Sequence, residues 1–107
     1  MGETISFDAM TVLSDDEVGS ALDDLEGWER AGDEIVREVR FETFPEAVAF
    51  VVAVGFAAEA ANHHPDLDIR YNKVRVALST HSEGGITEKD VDLARAIQGL
   101  AGRPAGR

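Results

Sequence analysis

Between Glu46 and Glu59 the chain runs for twelve residues without a charge, from Ala47 to Ala58. Val48, Val51, Val52, Val54 and Phe56 are spread over every face that a helix through this run would present. Thr43 and Glu46 have capping-box spacing, and Pro45 falls in the first turn, where its missing N–H costs nothing. The spacing predicts a helix from here to about Asn62. Such a helix must bury one side in a core and cover the other, so a homodimer or homotetramer is expected. The run is shorter than the roughly 20 apolar residues of a membrane helix, so a soluble protein with no membrane partner is expected.

The rest of the chain has to supply a surface for that helix. Ser14 and Glu17 form another capping-box pair, and Val18, Leu22 and Leu25 recur at helical intervals before Gly27, which predicts a first helix over about Asp15 to Leu25. Trp28 to Arg30 and Glu34 to Phe41 read as a hairpin turning at Ala31, Gly32 and Asp33, with Ile35, Val39 and Phe41 on alternate positions interrupted by Arg37. Asp68 to Tyr71 and Val74 to Thr80 read as a second hairpin, with Asn72 and Lys73 at its tight turn and Val74, Val76 and Leu78 toward the core. Thr87 and Asp90 make a third capping pair before a helix over about Glu88 to Leu100. The order α-β-β-α-β-β-α predicts an α+β domain, a four-stranded antiparallel sheet with helices packed on one face.

At 107 residues, 44% of them hydrophobic, there is one such domain and no room for a second. Its core is expected over about 14–98, with 1–10 and 99–107 frayed, because Gly99, Gly102, Pro104 and Gly106 crowd the tail. The chain has no cysteine and Met1 is followed by Gly2, Glu3 and Thr4 rather than by a basic, apolar leader, which favours the cytoplasm over an oxidising compartment. The formal charge is −11, and residues 1–34 carry eleven acidic residues against Arg30 alone. That surface repels a phosphate backbone, so no direct nucleic-acid partner is expected.

The chemistry concentrates in three histidines, His63, His64 and His81, all around the second hairpin. Glu59 lies four residues before His63, which on a continuing helix would place its carboxylate beside that imidazole, and Asp90 in the first turn of the last helix could serve His81 in the same way. Three uses compete: polar capping of a loop, a metal site completed by Glu59 or Asp66, and general acid–base chemistry by groups that titrate near neutral pH. The adjacent pair diverges and lacks the spaced patterns of zinc sites, which weighs against metal. Nucleophilic catalysis has least support, with no cysteine and no serine in an elbow-type turn.

Glu59, His63-His64-Pro65, Tyr71, His81 and Asp90, at these spacings, resemble the pterin-4a-carbinolamine dehydratases. Tyr71-Asn72-Lys73-Val74, Leu78-Ser79-Thr80-His81, Gly85-Ile86-Thr87, Leu93-Ala94 and Gly27-Trp28 extend the resemblance over roughly residues 14–98. It implies a cofactor-free, metal-free lyase that converts 4a-hydroxytetrahydropterin to quinonoid dihydropterin in the recycling of tetrahydrobiopterin-type cofactors. It also implies His63, His64 and His81 as the catalytic set, with Glu59, Pro65, Asp90 and Trp28 binding substrate or orienting the imidazoles. Trp28 as a plain core aromatic is an equal reading. One departure stands out: many members carry an aromatic residue two places after the proline, where this chain has Leu67. The resemblance leaves two alternatives open, a dimerisation cofactor of a transcription factor and a dehydratase for another reduced pterin.

Overall fold

The computed structural model describes residues 11–101. Its elements are α1 (Asp15–Asp23), β1 (Glu29–Ala31), β2 (Glu34–Arg40), α2 (Phe44–Ala61), β3 (Asp66–Arg70), β4 (Lys73–Leu78) and α3 (Glu88–Ala101), with a single 3-10 turn over His81–Glu83 between the last two. The four strands form one antiparallel sheet in the order β1-β2-β4-β3. The chain therefore leaves β2, crosses through α2 to the far edge as β3, and returns as β4 to fill the gap. The expected α+β architecture and element order hold.

Local chemistry sets the helix starts. The Ser14 and Thr43 hydroxyls each accept the backbone N–H three residues on, and Glu17 and Glu46 reach back to the cap residues, so both expected boxes form. Ile35 and Val39 on β2, and Val74, Val76 and Leu78 on β4, point into a core completed by Ala47, Phe50, Val54 and Ala58 of α2 and by Val91, Ala94 and Ile97 of α3. Arg37 shares the inward register of β2 but is satisfied there, donating to Gln98 Oε1 at 2.6 Å and to the Glu26 carbonyl at 3.1 Å. A Cβ on Gly27, which sits at φ +91°, would lie 3.0 Å from the Arg37 guanidinium, so glycine is needed there for both space and backbone angle.

Three expectations are corrected. The second hairpin turns at Tyr71-Asn72, one residue earlier than expected, because Arg70 pairs with Lys73; Tyr71 takes φ +56° and Asn72 is pinned by its Nδ2 donating to the Phe41 carbonyl at 2.7 Å. The last helix runs through Ala101, which is buried, so residues 99–101 are helical; 1–10 and 102–107 lie outside the described residues. Finally, α2 carries the twelve-residue charge-free run, bounded by Glu46 and Glu59, within an 18-residue helix of mean hydropathy 1.6, long and apolar enough to cross a membrane by length and composition, although here it lies on the sheet and α3. Its outward side carries Phe44, Val48, Val52 and Phe56, and Phe56 is 75% exposed.

Candidate active site

The site begins where α2 stops. Asn62 adopts the left-handed conformation at φ +52°, its N–H donates to the Glu59 carbonyl at 3.1 Å, and the next N–H, of His63, donates to Ala58 at 3.0 Å. That pair of bonds is a Schellman motif, which asparagine tolerates better than most residues. It turns the chain so that His63 folds inward over the end of α2. Pro65 then excludes His64 from the helical region and launches β3.

His63 is consequently buried, 9% exposed, and its Nε2 lies 2.5 Å from Oδ1 of Asp90, which is fully buried at the start of α3. The other carboxylate oxygen, Oδ2, accepts from the Thr80 hydroxyl at 2.8 Å and from the Thr87 N–H at 2.9 Å. The expected third capping box is thus only half made: Asp90 reaches back to Thr87, but the Thr87 hydroxyl takes the N–H of Lys89 at 3.2 Å instead of that of Asp90. His63 also forms part of the wall of a groove of about 450 Å³ between α2 and α3, with Ala57, Ala60, Ala61 and Leu93.

The carboxylate assignments made from spacing exchange partners. Glu59 pairs with His64, Oε1 to Nε2 at 2.9 Å, and not with His63, because the left-handed turn at Asn62 breaks the helical phase on which the i,i+4 rule depends. Asp90 pairs with His63 and not with His81. The His64–Glu59 pair stands in solvent, with side chains 62% and 80% exposed. His81 is exposed and opens the 3-10 turn directly after Thr80. Thr80 is itself fastened by a bridge to Gly85, its N–H donating to that carbonyl at 2.9 Å. Since Asp66 at the start of β3 pairs with Ala77 near the end of β4, the His63-His64-Pro65 entry and the Ser79-Thr80-His81 exit lie at the same end of the sheet.

Trp28 lies elsewhere. It is 5% exposed in the core and its Nε1 donates to Gln98 Oε1 at 3.0 Å, eight residues, or about 12 Å of helix, beyond Asp90 on α3. Leu67 is exposed, opposite Val76 on the helix-facing side of edge strand β3. Among the described residues no group of three or more His, Cys, Asp or Glu is disposed to hold a metal ion. Spacing assigned no site role to Thr80, Thr87 or Asn62, although Thr87 carried the capping-pair signal with Asp90 and Asn62 that of an asparagine just past a helix end.

The family model described as Pterin 4 alpha carbinolamine dehydratase matches residues 11–100. Two curated relatives, both carrying pterin-4-alpha-carbinolamine dehydratase as a provisional name, come from Nocardia farcinica and a Roseiflexus species. The first is 56% identical over 90 residues, 84% of this chain and 95% of the relative; the second is 55% identical over 87 residues, 81% and 94% respectively. A crystal structure of a transcriptional coactivator/pterin dehydratase from Brucella melitensis superimposes with a TM-score of 0.83 at 37% identity, covering 86% of this chain and all of that one. The chain belongs to the pterin-4a-carbinolamine dehydratase family.

Proposed function

We propose that this protein dehydrates 4a-hydroxytetrahydropterin to quinonoid dihydropterin in the recycling of tetrahydrobiopterin-type cofactors, by general acid–base catalysis from its histidines. In that reaction the C4a–O bond breaks, the hydroxyl takes up a proton and departs as water, and loss of the N5 proton lets its electron pair form the N5–C4a double bond. The step requires one group to deliver a proton and another to remove one, both competent near neutral pH. The observation that carries the reading is the pair of carboxylate-held imidazoles, His63 on Asp90 and His64 on Glu59, at the end of the sheet where β4 delivers His81. His64 and His81 are the exposed members and take the proton-transfer roles at the substrate; His63, held inward, completes the set.

The test follows dehydration of 4a-hydroxytetrahydropterin directly, above its spontaneous rate. His64→Ala and His81→Ala are each expected to lower kcat/KM by about 10² to 10⁴ with melting unchanged, and prior treatment with chelator to leave the wild-type rate as it was. A wild-type rate equal to the spontaneous one overturns the reading, and loss on chelation with recovery on added zinc overturns the acid–base assignment. A homodimer or homotetramer belongs to the same proposal, supported by the Val48, Val52 and Phe56 stripe on α2. The stripe also supports a second reading, a protein-binding coactivator-like module; the Brucella protein is named a transcriptional coactivator as well as a pterin dehydratase. Binding of a transcription factor with no dehydration would favour it.

A further inference from the structure

We propose that Thr80 and Thr87 are positioning residues, whose hydroxyls form a one-way hydrogen-bond chain that clamps Asp90 and so holds His63 with its proton on Nε2 and its lone pair on Nδ1. The direction follows from counting protons. A threonine hydroxyl has a single hydrogen to give. Thr80 commits its own to Asp90 Oδ2 at 2.8 Å, so the 2.8 Å contact between the two threonine hydroxyls must run from Thr87 to Thr80. The Thr87 oxygen in turn accepts the Lys89 N–H, and the Thr87 N–H supplies the second donor to Oδ2. The chain therefore reads Lys89 N–H to Thr87, Thr87 to Thr80, Thr80 to Asp90, with no donor left over.

Asp90, Thr87 and Thr80 are 0%, 0% and 4% exposed, so no water is at hand to replace a lost partner. With Oδ2 filled by two donors and Oδ1 facing Nε2, the clamp has both carboxylate oxygens accepting and the imidazole nitrogen opposite Oδ1 carrying the hydrogen. In the neutral ring that leaves Nδ1 as the unprotonated nitrogen. Thr80 has a second hold on the site, because its backbone bridge to Gly85 closes the turn that begins with His81. One residue thus fixes His63 through its side chain and the His81 turn through its main chain.

The kinetic part of this inference rests on the dehydratase reading; the spectroscopic part does not. The experiment compares full-length wild type, Thr80→Ser and Thr80→Val, each checked for folding by circular dichroism. Long-range proton–nitrogen correlation spectra of protein with 15N-labelled histidine report the tautomer of each of the three imidazoles. The expected result is the Nε2–H pattern at His63 in wild type and Thr80→Ser, and a shifted, faster-exchanging Nε2–H in Thr80→Val. Thr80→Val should also lose kcat by about ten- to a hundredfold with KM within about twofold, and Thr80→Ser should restore it. Should Thr80→Val fail to fold, Asp90→Asn carries the test. Its amide oxygen stays on the Thr80 and Thr87 donors and its N–H₂ faces His63, which forces the proton to Nδ1.

An Nδ1–H pattern in wild type, an unmoved Nε2–H pattern in Asp90→Asn, or a folded Thr80→Val with wild-type His63 signals and kcat overturns the inference. A wild type that shows the expected tautomer and its change in Thr80→Val but dehydrates nothing supports the clamp and overturns the dehydratase reading.

Discussion

Replacing Asp90 by alanine should be among the most damaging single changes in this chain, and the structure allows the loss to be worked out. Three donors converge on that carboxylate: the Thr80 hydroxyl, the Thr87 N–H and the His63 ring. A buried donor stripped of its acceptor costs about 1–3 kcal/mol, which gives a gross loss of roughly 3–9 kcal/mol for three. One effect reduces it: the native state no longer keeps a carboxylate out of water. The net expectation is about 3–5 kcal/mol, the lower half of that range and the size expected when a buried hydrogen-bond network loses its central acceptor. Set against the roughly 5–15 kcal/mol that holds an ordinary domain together, this leaves the variant close to unfolding. The measurement is urea unfolding followed by circular dichroism, with Asp92→Ala as control. Asp92 is two residues further along α3, paired with Arg95 at 3.3 Å in solvent, and its loss should shift stability by less than about 0.5 kcal/mol. An Asp90→Ala variant that loses less than about 1 kcal/mol at unchanged m would refute the claim that these three bonds stabilise the fold.

Leu67→Trp should tighten apparent substrate affinity by about 0.5–1.5 kcal/mol if the side chain beside Val76 reaches the flat pterin ring, and an unchanged KM would place that position outside the site. Wild type should sediment as a dimer or tetramer at micromolar concentration, and Phe56→Glu should shift it toward monomer, since the 75% of that ring now in water represents about 150 Å² and up to ~4 kcal/mol per copy when covered. A wild type that sediments as a monomer would remove the oligomer from the proposal.

What could be read from the sequence was whatever is decided locally. Ser14 with Glu17 and Thr43 with Glu46 announce helix starts because a cap is a bond between residues three apart. The alternation of Val74, Val76 and Leu78 announces a strand because side chains in a strand change face at every step. The hairpin turn was misplaced by one residue because Tyr71 takes a left-handed angle that a tyrosine rarely adopts, and the pairing of Arg70 with Lys73 enforces it. That His63, His64 and His81 gather at one end of the sheet was legible; their carboxylate partners were not, and Trp28 lies in the core. Counting four residues from Glu59 to His63 assumes a helix that has already ended, and pairing Asp90 with His81 overlooks the inward turn of His63.

That turn explains how two neighbours of identical chemistry come to differ. Both imidazoles present Nε2 to a carboxylate, at 2.5 Å for His63 and 2.9 Å for His64, yet the first pair has side chains 10% and 0% exposed and the second 62% and 80%. A hydrogen bond onto a carboxylate is stronger in the low-dielectric interior than at the surface, where water competes for both partners. His63 is therefore fixed by a partner that is itself held by Thr80 and Thr87, whereas His64 gains little from Glu59 and is free to change rotamer as a substrate enters. The proposed dehydration, which moves two protons at different atoms of one ring, would gain from this division: an immobile imidazole would preserve the geometry of the site, and a mobile one would follow the leaving oxygen as the C4a–O bond lengthens.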